Sequence, residues 1–400
     1  MLGIPSLPRH SSAFCVRCRG SLQNTSGRSV NAALACSLAT LILLLPVNSM
    51  PLFEAGLLRA RSEVTIITGF AALWHQGWVL LAGLSILFVI ALPIVHFSLL
   101  TVALGALRLN RRPSWLGSAF RWALWLDRWA MVDVFLVAVA VGYFYLTAIE
   151  HLAVTIEGGS ECLVAAGFMS MLSRATLDRR TVWRAIAGEA DAARGEPTMG
   201  CRTCGLIQPL SCEGARCPRC AVPLLVRKPD SLAWTAALLA AALIVLFPAE
   251  IYPMTLTNLL RVHAGYTNFG YVEQLWHRGM WPVAVVAFWT GILTPAIMIF
   301  ALGWCAYSVW RRSSRRLVRK TTLYRMVVES GRWSMTGPLS VAFFVPLLDF
   351  GPLGSEAASW GATAFIVMTV LLMAASFAFD PRLMWDAAST RLARAPAVPQ

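Results

Sequence analysis

Charge is scarce in this chain. Only 14% of its 400 residues are Asp, Glu, Lys or Arg, against roughly 25% in a typical soluble domain. Lysine is almost missing, since Lys228 and Lys320 alone accompany the arginines, and they follow Arg227 and Arg319. No Gly-Lys phosphate loop can therefore form, which excludes ATP hydrolysis through one. His-Glu-x-x-His and Gly-x-Ser-x-Gly are also missing, so the zinc-protease and serine-hydrolase constellations have no counterpart and no enzyme is expected. No small-x-small cleavage site follows the first apolar run, which continues Asn48-Ser49-Met50-Pro51. That run reads as a membrane span, not a cleaved signal.

What the chain has instead is apolar length. Hydrophobic residues make up 57% of it, and mean hydropathy is +0.63. Soluble, disordered, collagen-like and disulfide-stapled secreted classes are excluded, which leaves an integral membrane protein. Eight apolar runs stand out: 30–47, 77–107, 131–149, 162–177, 231–249, 279–309, 334–348 and 357–379. A span needs about 20 residues. The fourth run is short, with Arg174 expected to snorkel to the interface, and the seventh is interrupted by Pro338 and Pro346. The second and sixth exceed a bilayer, and Pro93 and Pro295 at their centres predict kinks.

The net charge of +14 reads as topogenic arginine, not a nucleic-acid surface. Arginines crowd the N-terminal segment, the loops after the second and sixth runs, the 174–228 linker and the C-terminus. With eight spans these regions share one side, and the positive-inside rule makes that side, with both termini, cytoplasmic. The outer loops are then 48–76, 150–161, 250–278 and 349–356.

Shifted by 202 positions, the chain matches itself. Thr65, Leu73-Trp74-His75 and Gly77 fall on Thr267, Leu275-Trp276-His277 and Gly279; Pro51 falls on Pro253, and Pro93 on Pro295. After a two-residue slip at Arg128-Trp129 and Arg332-Trp333, the shift returns at Asp178, Arg180 and Trp183, which match Asp380, Arg382 and Trp385. The expected fold is therefore an all-α polytopic membrane protein of two parallel four-span repeats. Its boundaries are a cytoplasmic segment 1–29, repeats 30–188 and 231–386, a linker 189–230 and a tail 387–400.

The linker holds Cys201-x-x-Cys204 and Cys217-x-x-Cys220. Two such knuckles can place four thiolates tetrahedrally around a zinc ion, the pattern of a zinc ribbon, although iron also suits four thiolates. A redox pair in each knuckle is the competing reading. Cys15 and Cys18 lie 202 positions before Cys217 and Cys220. They form half a ribbon, either degenerate or cut short by a start codon placed too late, and are a weaker metal candidate. Cys36, Cys162 and Cys305 in apolar runs read as packing residues.

These stretches carry a resemblance: Cys201–Cys220, Asn48-x-x-Pro51, Thr65–Gly77, Arg332-Trp-Ser-Met335 and Phe379-Asp-Pro-Arg-Leu-Met-Trp385. Over residues 15–386 the chain resembles the paraquat-inducible protein A family. The resemblance implies a multi-pass protein of the bacterial inner membrane, partnered by a periplasmic MCE-domain tunnel. It implies exchange of phospholipid between inner membrane and tunnel, maintaining the outer membrane. The chain departs from symmetry in its truncated first ribbon and in Gly337-Pro338, which stand where the first half has Asp133. Two other functions compete: a membrane redox protein, and a zinc-ribbon scaffold or sensor of membrane stress. For transport the candidate residues are Asn48 and Glu250, which occupy equivalent outer ends of the first and fifth spans, and Asp349 at the end of the seventh. Pro51, Trp74, Pro93 and their counterparts Pro253, Trp276, Pro295 are expected to be structural. His75 and His277 read as interfacial, and His96 as a satisfied packing residue.

Overall fold

The computed structural model describes residues 11–16, 18–24, 28–57, 60–147, 152–187, 197–259, 262–350 and 354–393. Helices form at all eight apolar runs. Among the described residues five are long and apolar enough to cross a membrane: Val30–Ser49, Val79–Arg108, Ser231–Ile251, Trp281–Trp310 and Trp360–Ala378. The protein is a multi-pass membrane protein. Of the other three, Gly158–Thr176 carries Glu161 and Arg174, and Val132–Thr147 and Thr336–Leu347 have 16 and 12 residues.

The kinks expected at Pro93 and Pro295 take a specific form. Residues Leu87–Ala91 and Trp289–Leu293 are single π turns, each followed by a helix with its proline in the first turn. A proline has no N–H to give and its ring collides with the carbonyl four residues back, so widening the preceding turn removes the collision. In the second case the Thr294 hydroxyl donates to the Trp289 carbonyl at 2.8 Å.

The recurring motifs are caps and corners. Thr65 caps the helix Ile66–His75 by accepting from the Thr68 N–H at 3.1 Å, and Thr267 caps Asn268–His277 by accepting from Gly270 at the same 3.1 Å. Leu73 and Leu275 are buried on these helices, and Trp74 and Trp276 are exposed. Gly77 (φ +92°) and Gly279 (φ +77°) follow the helix ends in the left-handed region that glycine enters freely. The Asp-x-Arg-x-x-Trp motif is also a cap: Asp178 accepts from the N–H groups of Arg180 and Thr181, and Asp380 from that of Arg382. Pro51 and Pro253 make the corners, their carbonyls accepting from the Gly159 and Gly361 N–H groups at 3.1 and 3.2 Å.

The all-α expectation needs correcting in the loops between helices. Strand Phe53–Leu57 pairs antiparallel with Ala60–Val64 on one side and Leu152–Ile156 on the other. Strand Thr255–Leu259 likewise sits between Val262–Tyr266 and Gly354–Ala358. Each strand has five residues, too few for alternation to stand out, and each sheet is completed by a partner about a hundred positions away. The molecule remains mostly helical. Every strand of one sheet lies 202 positions from its counterpart in the other.

Two compact units emerge. One gathers residues 1–45, 91–133 and 164–228 and includes the linker cysteines; the other gathers 46–90, 134–163 and 229–400 and includes both three-stranded sheets.

Candidate functional site

The cysteine knuckles are built alike. The N–H of Cys201 donates to Leu206, and that of Cys217 to Val222; Gly205 and Ala221 return to the carbonyls of Cys201 and Cys217 with positive φ. These tight turns aim both thiols of a pair to one side. The four sulfurs of Cys201, Cys204, Cys217 and Cys220 lie within 4.8 Å of one another, with Cys201–Cys220 at 3.5 Å and Cys204–Cys217 at 3.6 Å. A tetrahedron of metal–sulfur bonds of about 2.3 Å spaces its sulfurs by about 3.8 Å, so the group can hold a metal ion. Hydrogen bonds from Cys204 and Cys220 draw the Cys201 thiol well below its ordinary range. Sharing of one thiolate in this way is what four crowded sulfurs do before a cation replaces the protons.

The cluster is seated within its unit on Leu100, Leu104, Leu116, Phe120, Val182 and Trp183. Gly117 lets the Arg219 carbonyl approach so closely that a β-carbon has no room there. Cys15 and Cys18 repeat the knuckle geometry, with Cys15 N–H to Gly20 and Arg19 N–H to Cys15, and Arg19 takes φ +53°. Among the described residues the linker four are the group of three or more ligands that gathers; Cys15 and Cys18 belong to no such group.

Arg174 does not snorkel. Its Nε donates to Asp127 at 2.8 Å, its Nη1 to the fully buried Asp133 at 2.9 Å, and its Nη2 to the carbonyls of Asp127 and Ala130. Two carboxylates and two helix-end carbonyls satisfy it locally, removing any reason to reach for the interface. Arg179 also reaches Asp127 at 3.2 Å. His96 bonds the Ala123 carbonyl through Nδ1 at 2.9 Å, as a satisfied packing residue does. Burial opposes ionisation of Asp127 most strongly, but Arg174, His96 and Arg179 together outweigh it and hold the carboxyl below its ordinary value.

The second unit contains a cleft of about 60 Å³ between the sheet of Thr255–Leu259, the π turn at Trp289–Leu293 and the helices Val132–Thr147 and Thr336–Leu347. Its polar lining includes Tyr145, Tyr266, Asn268, Tyr271, Thr290 and Glu356. Glu356 is buried and accepts from Thr257 at 3.4 Å and from Thr255. Burial raises its carboxyl above the ordinary range, and the two hydroxyls only partly offset this. Tyr145 and Tyr271 pack with ring centroids 4.8 Å apart and their planes tilted by 46°. Asn268 donates to the Gly291 carbonyl at 3.0 Å, so the cleft wall is pinned to the π turn.

The transport candidates are distributed around this unit. Glu250 ends its helix half-buried and shares a hydrogen bond with Asn268, which brings it to the cleft's edge. Asn48 is buried at the end of Val30–Ser49, and Asp349 is exposed. Glu356, Tyr271, Arg174 and Asp127 were not anticipated from sequence. The repeat contained one signal for the first two, because Glu356 and Tyr271 fall opposite Val154 and Gly69.

Comparison with known proteins places this architecture. The chain is 29% identical to the intermembrane transport protein PqiA of Escherichia coli K12, over 96% of this chain and 93% of that protein. It is 25% identical to the lipophilic envelope-spanning tunnel protein A of the same organism, over 98% and 91%. It is also 25% identical to a probable intermembrane transport protein of Haemophilus influenzae, over 96% and 93%. No solved structure matches. The model of the family described as paraquat-inducible protein A matches twice, over residues 30–187 and 232–389. The chain belongs to the paraquat-inducible protein A family.

Proposed function

We propose that the protein is the inner-membrane subunit of a lipid-transport system, exchanging phospholipid between the inner membrane and a periplasmic MCE-domain tunnel. The observation that carries this reading is a polar-floored cleft among apolar helices, in a chain matched almost end to end by relatives named for intermembrane transport and an envelope-spanning tunnel. A lipid needs such a place: apolar walls for its chains and a few fixed polar groups for its head. Glu250, Asn48 and Asp349 flank the lipid's path at the outer ends of their helices.

In this reading the chain is two homologous parallel halves of four spans each, with both termini and the cysteine cluster in the cytoplasm. Support comes from the family match starting and ending 202 positions apart in the two halves, and from π turns, caps and sheets repeating at that interval. The cluster is a zinc ribbon held by Cys201, Cys204, Cys217 and Cys220. Zinc there would cross-link two knuckles and has no open position for chemistry.

Photo-crosslinking in cells from probes in residues 48–76 and 250–278 tests the reading. Capture of an MCE-domain protein together with phospholipid is the expected result. Capture of neither, by probes shown to be reactive, sinks it. The double variant Asn48→Ala, Glu250→Ala is expected to impair lipid transfer, and full transfer would remove those residues from the path.

A further inference from the structure

Six polar residues that the second half of the chain gives the cleft of the second unit have apolar counterparts in the first half. Moved back by 202 positions, Glu356 becomes Val154, Asn268 Ile66, Tyr266 Val64, Tyr271 Gly69, Thr290 Phe88 and Thr255 Phe53. Phe53, Ile66 and Phe88 are buried, and Phe53 stacks on Tyr143 with centroids 5.4 Å apart. One scaffold thus exists filled with hydrocarbon and again opened and lined with hydroxyls, rings and a carboxyl. The fold does not require those polar groups, since the first half builds the same sheet and helices without them.

Glu356 is the informative member. A buried carboxyl costs free energy unless it stays neutral or meets a cation. Among the described residues no basic side chain lines the cleft, and the groups acting on Glu356 are Thr255, Thr257 and its own burial. The Arg278 guanidinium lies 5.8 Å from the centre of the Tyr145 ring. Tyr145, Tyr266 and Tyr271 surround the same space. Tyrosine faces attract a cation through their quadrupole, and a carboxylate takes its N–H groups. An anionic or neutral head would gain neither. Much of the remaining lining, including Val141, Ala287, Phe344 and Val345, is apolar, which suits a molecule with hydrocarbon attached to its ammonium.

We propose that the Glu356 cleft binds the primary ammonium of an ethanolamine phospholipid, with the rings of Tyr145, Tyr266 and Tyr271 around the nitrogen and the carboxylate of Glu356 accepting its hydrogen bonds. This names the substrate class of the transport site and rests on the transport reading.

The test uses the full chain purified in detergent and equilibrated with an equimolar mixture of phosphatidylethanolamine and phosphatidylglycerol. Retained lipid is extracted and quantified by mass spectrometry. The wild type is expected to enrich the ethanolamine lipid about tenfold, Glu356→Gln to lose the preference, Tyr271→Phe to keep it and Tyr271→Leu to weaken it. No enrichment by the wild type overturns the proposal, as does full enrichment by Glu356→Gln. Should Glu356→Gln fail to fold, equal enrichment by the two Tyr271 variants overturns it independently. Calorimetric binding of free ethanolamine without retention of its lipid would assign the site to a soluble amine and overturn the lipid source. Intact headgroup enrichment with no MCE-domain protein captured in cells would sink the transport reading and leave this site standing.

Discussion

Arg174 donates through all three of its guanidinium nitrogens to a turn that would otherwise bury two carboxylates and two carbonyls. Removing one partner of such an arrangement typically costs about 3–5 kcal/mol, because the other charge is left behind. Arg174→Ala is therefore expected to lower stability by about that amount in denaturant unfolding. Arg174→Lys, which has no fork, should recover only part of it. A wild-type-like midpoint for Arg174→Ala would show that the cluster contributes little. Asp127 adds a pH signature. Its folded value lies below the ordinary 3.8, so its stabilising contribution is complete above that pH and is lost as pH falls through the lower folded value. Glu356 has the opposite sign. Its carboxyl is raised above the ordinary 4.5, so its contribution is complete below 4.5 and declines as pH rises through the folded value. Among the described residues Tyr145, Tyr266 and Tyr271 share its cleft, and Arg278 lies beside Tyr145. Glu356→Gln should remove that decline and melt higher than wild type at neutral pH; a lower melting temperature would show that the carboxylate is structural. From sequence, Arg174 looked like an interfacial arginine, and nothing singled out Glu356. A linear reading sees how polar a residue is but not which distant segment folds over it.

At the scale of elements the repeat was highly legible. Leu-Trp-His-x-Gly is a helix end with its glycine stop, and Asp-x-Arg-x-x-Trp is a helix start with its cap. Both kinds of signal are local, which is why spacing alone exposes them. The sheets were invisible for the contrary reason: Phe53–Leu57 and Thr255–Leu259 find their outer partners across most of a half. The prolines predicted a kink but not its form, since π turns depend on how the ring's collision is relieved. The glycines opposite the prolines are a further element-level feature. A β-carbon on Gly361 would crowd the carbonyls of Tyr252 and Pro253, and one on Gly159 those of Met50 and Pro51. Gly361→Ala and Gly159→Ala should each destabilise by about 1–3 kcal/mol. Gly105→Ala, which meets open space in the last turn of its helix, should be neutral or stabilising. Melting curves of the three variants check this, and similar midpoints for all three would mean the corners yield easily.

For the whole molecule, the cysteine pattern and the 202-residue interval were the strongest signals in the sequence. The four linker sulfurs do gather, while the N-terminal pair copies the knuckle without joining a larger group among the described residues. Elemental analysis of the full chain should find one zinc per molecule. Cys204→Ser should abolish it, and Cys15→Ser with Cys18→Ser should leave it at one. Two zincs per chain, falling to one in the double variant, would mean the half-ribbon finds ligands elsewhere.

The sheets also constrain how the protein is made. Glu54 and Thr155 are bonded neighbours although 101 positions separate them, and Thr257 and Glu356 are 99 apart. When the ribosome has released the first hairpin, its central strand has one free edge, and the strand that covers that edge has yet to be synthesised. It arrives only after the intervening helices have entered the bilayer and their connecting loop has reached the same side of it. Closure of each sheet is thus a late event that succeeds only if insertion has gone correctly. Until then an uncovered β edge beside the membrane is the surface a chaperone or a protease would recognise.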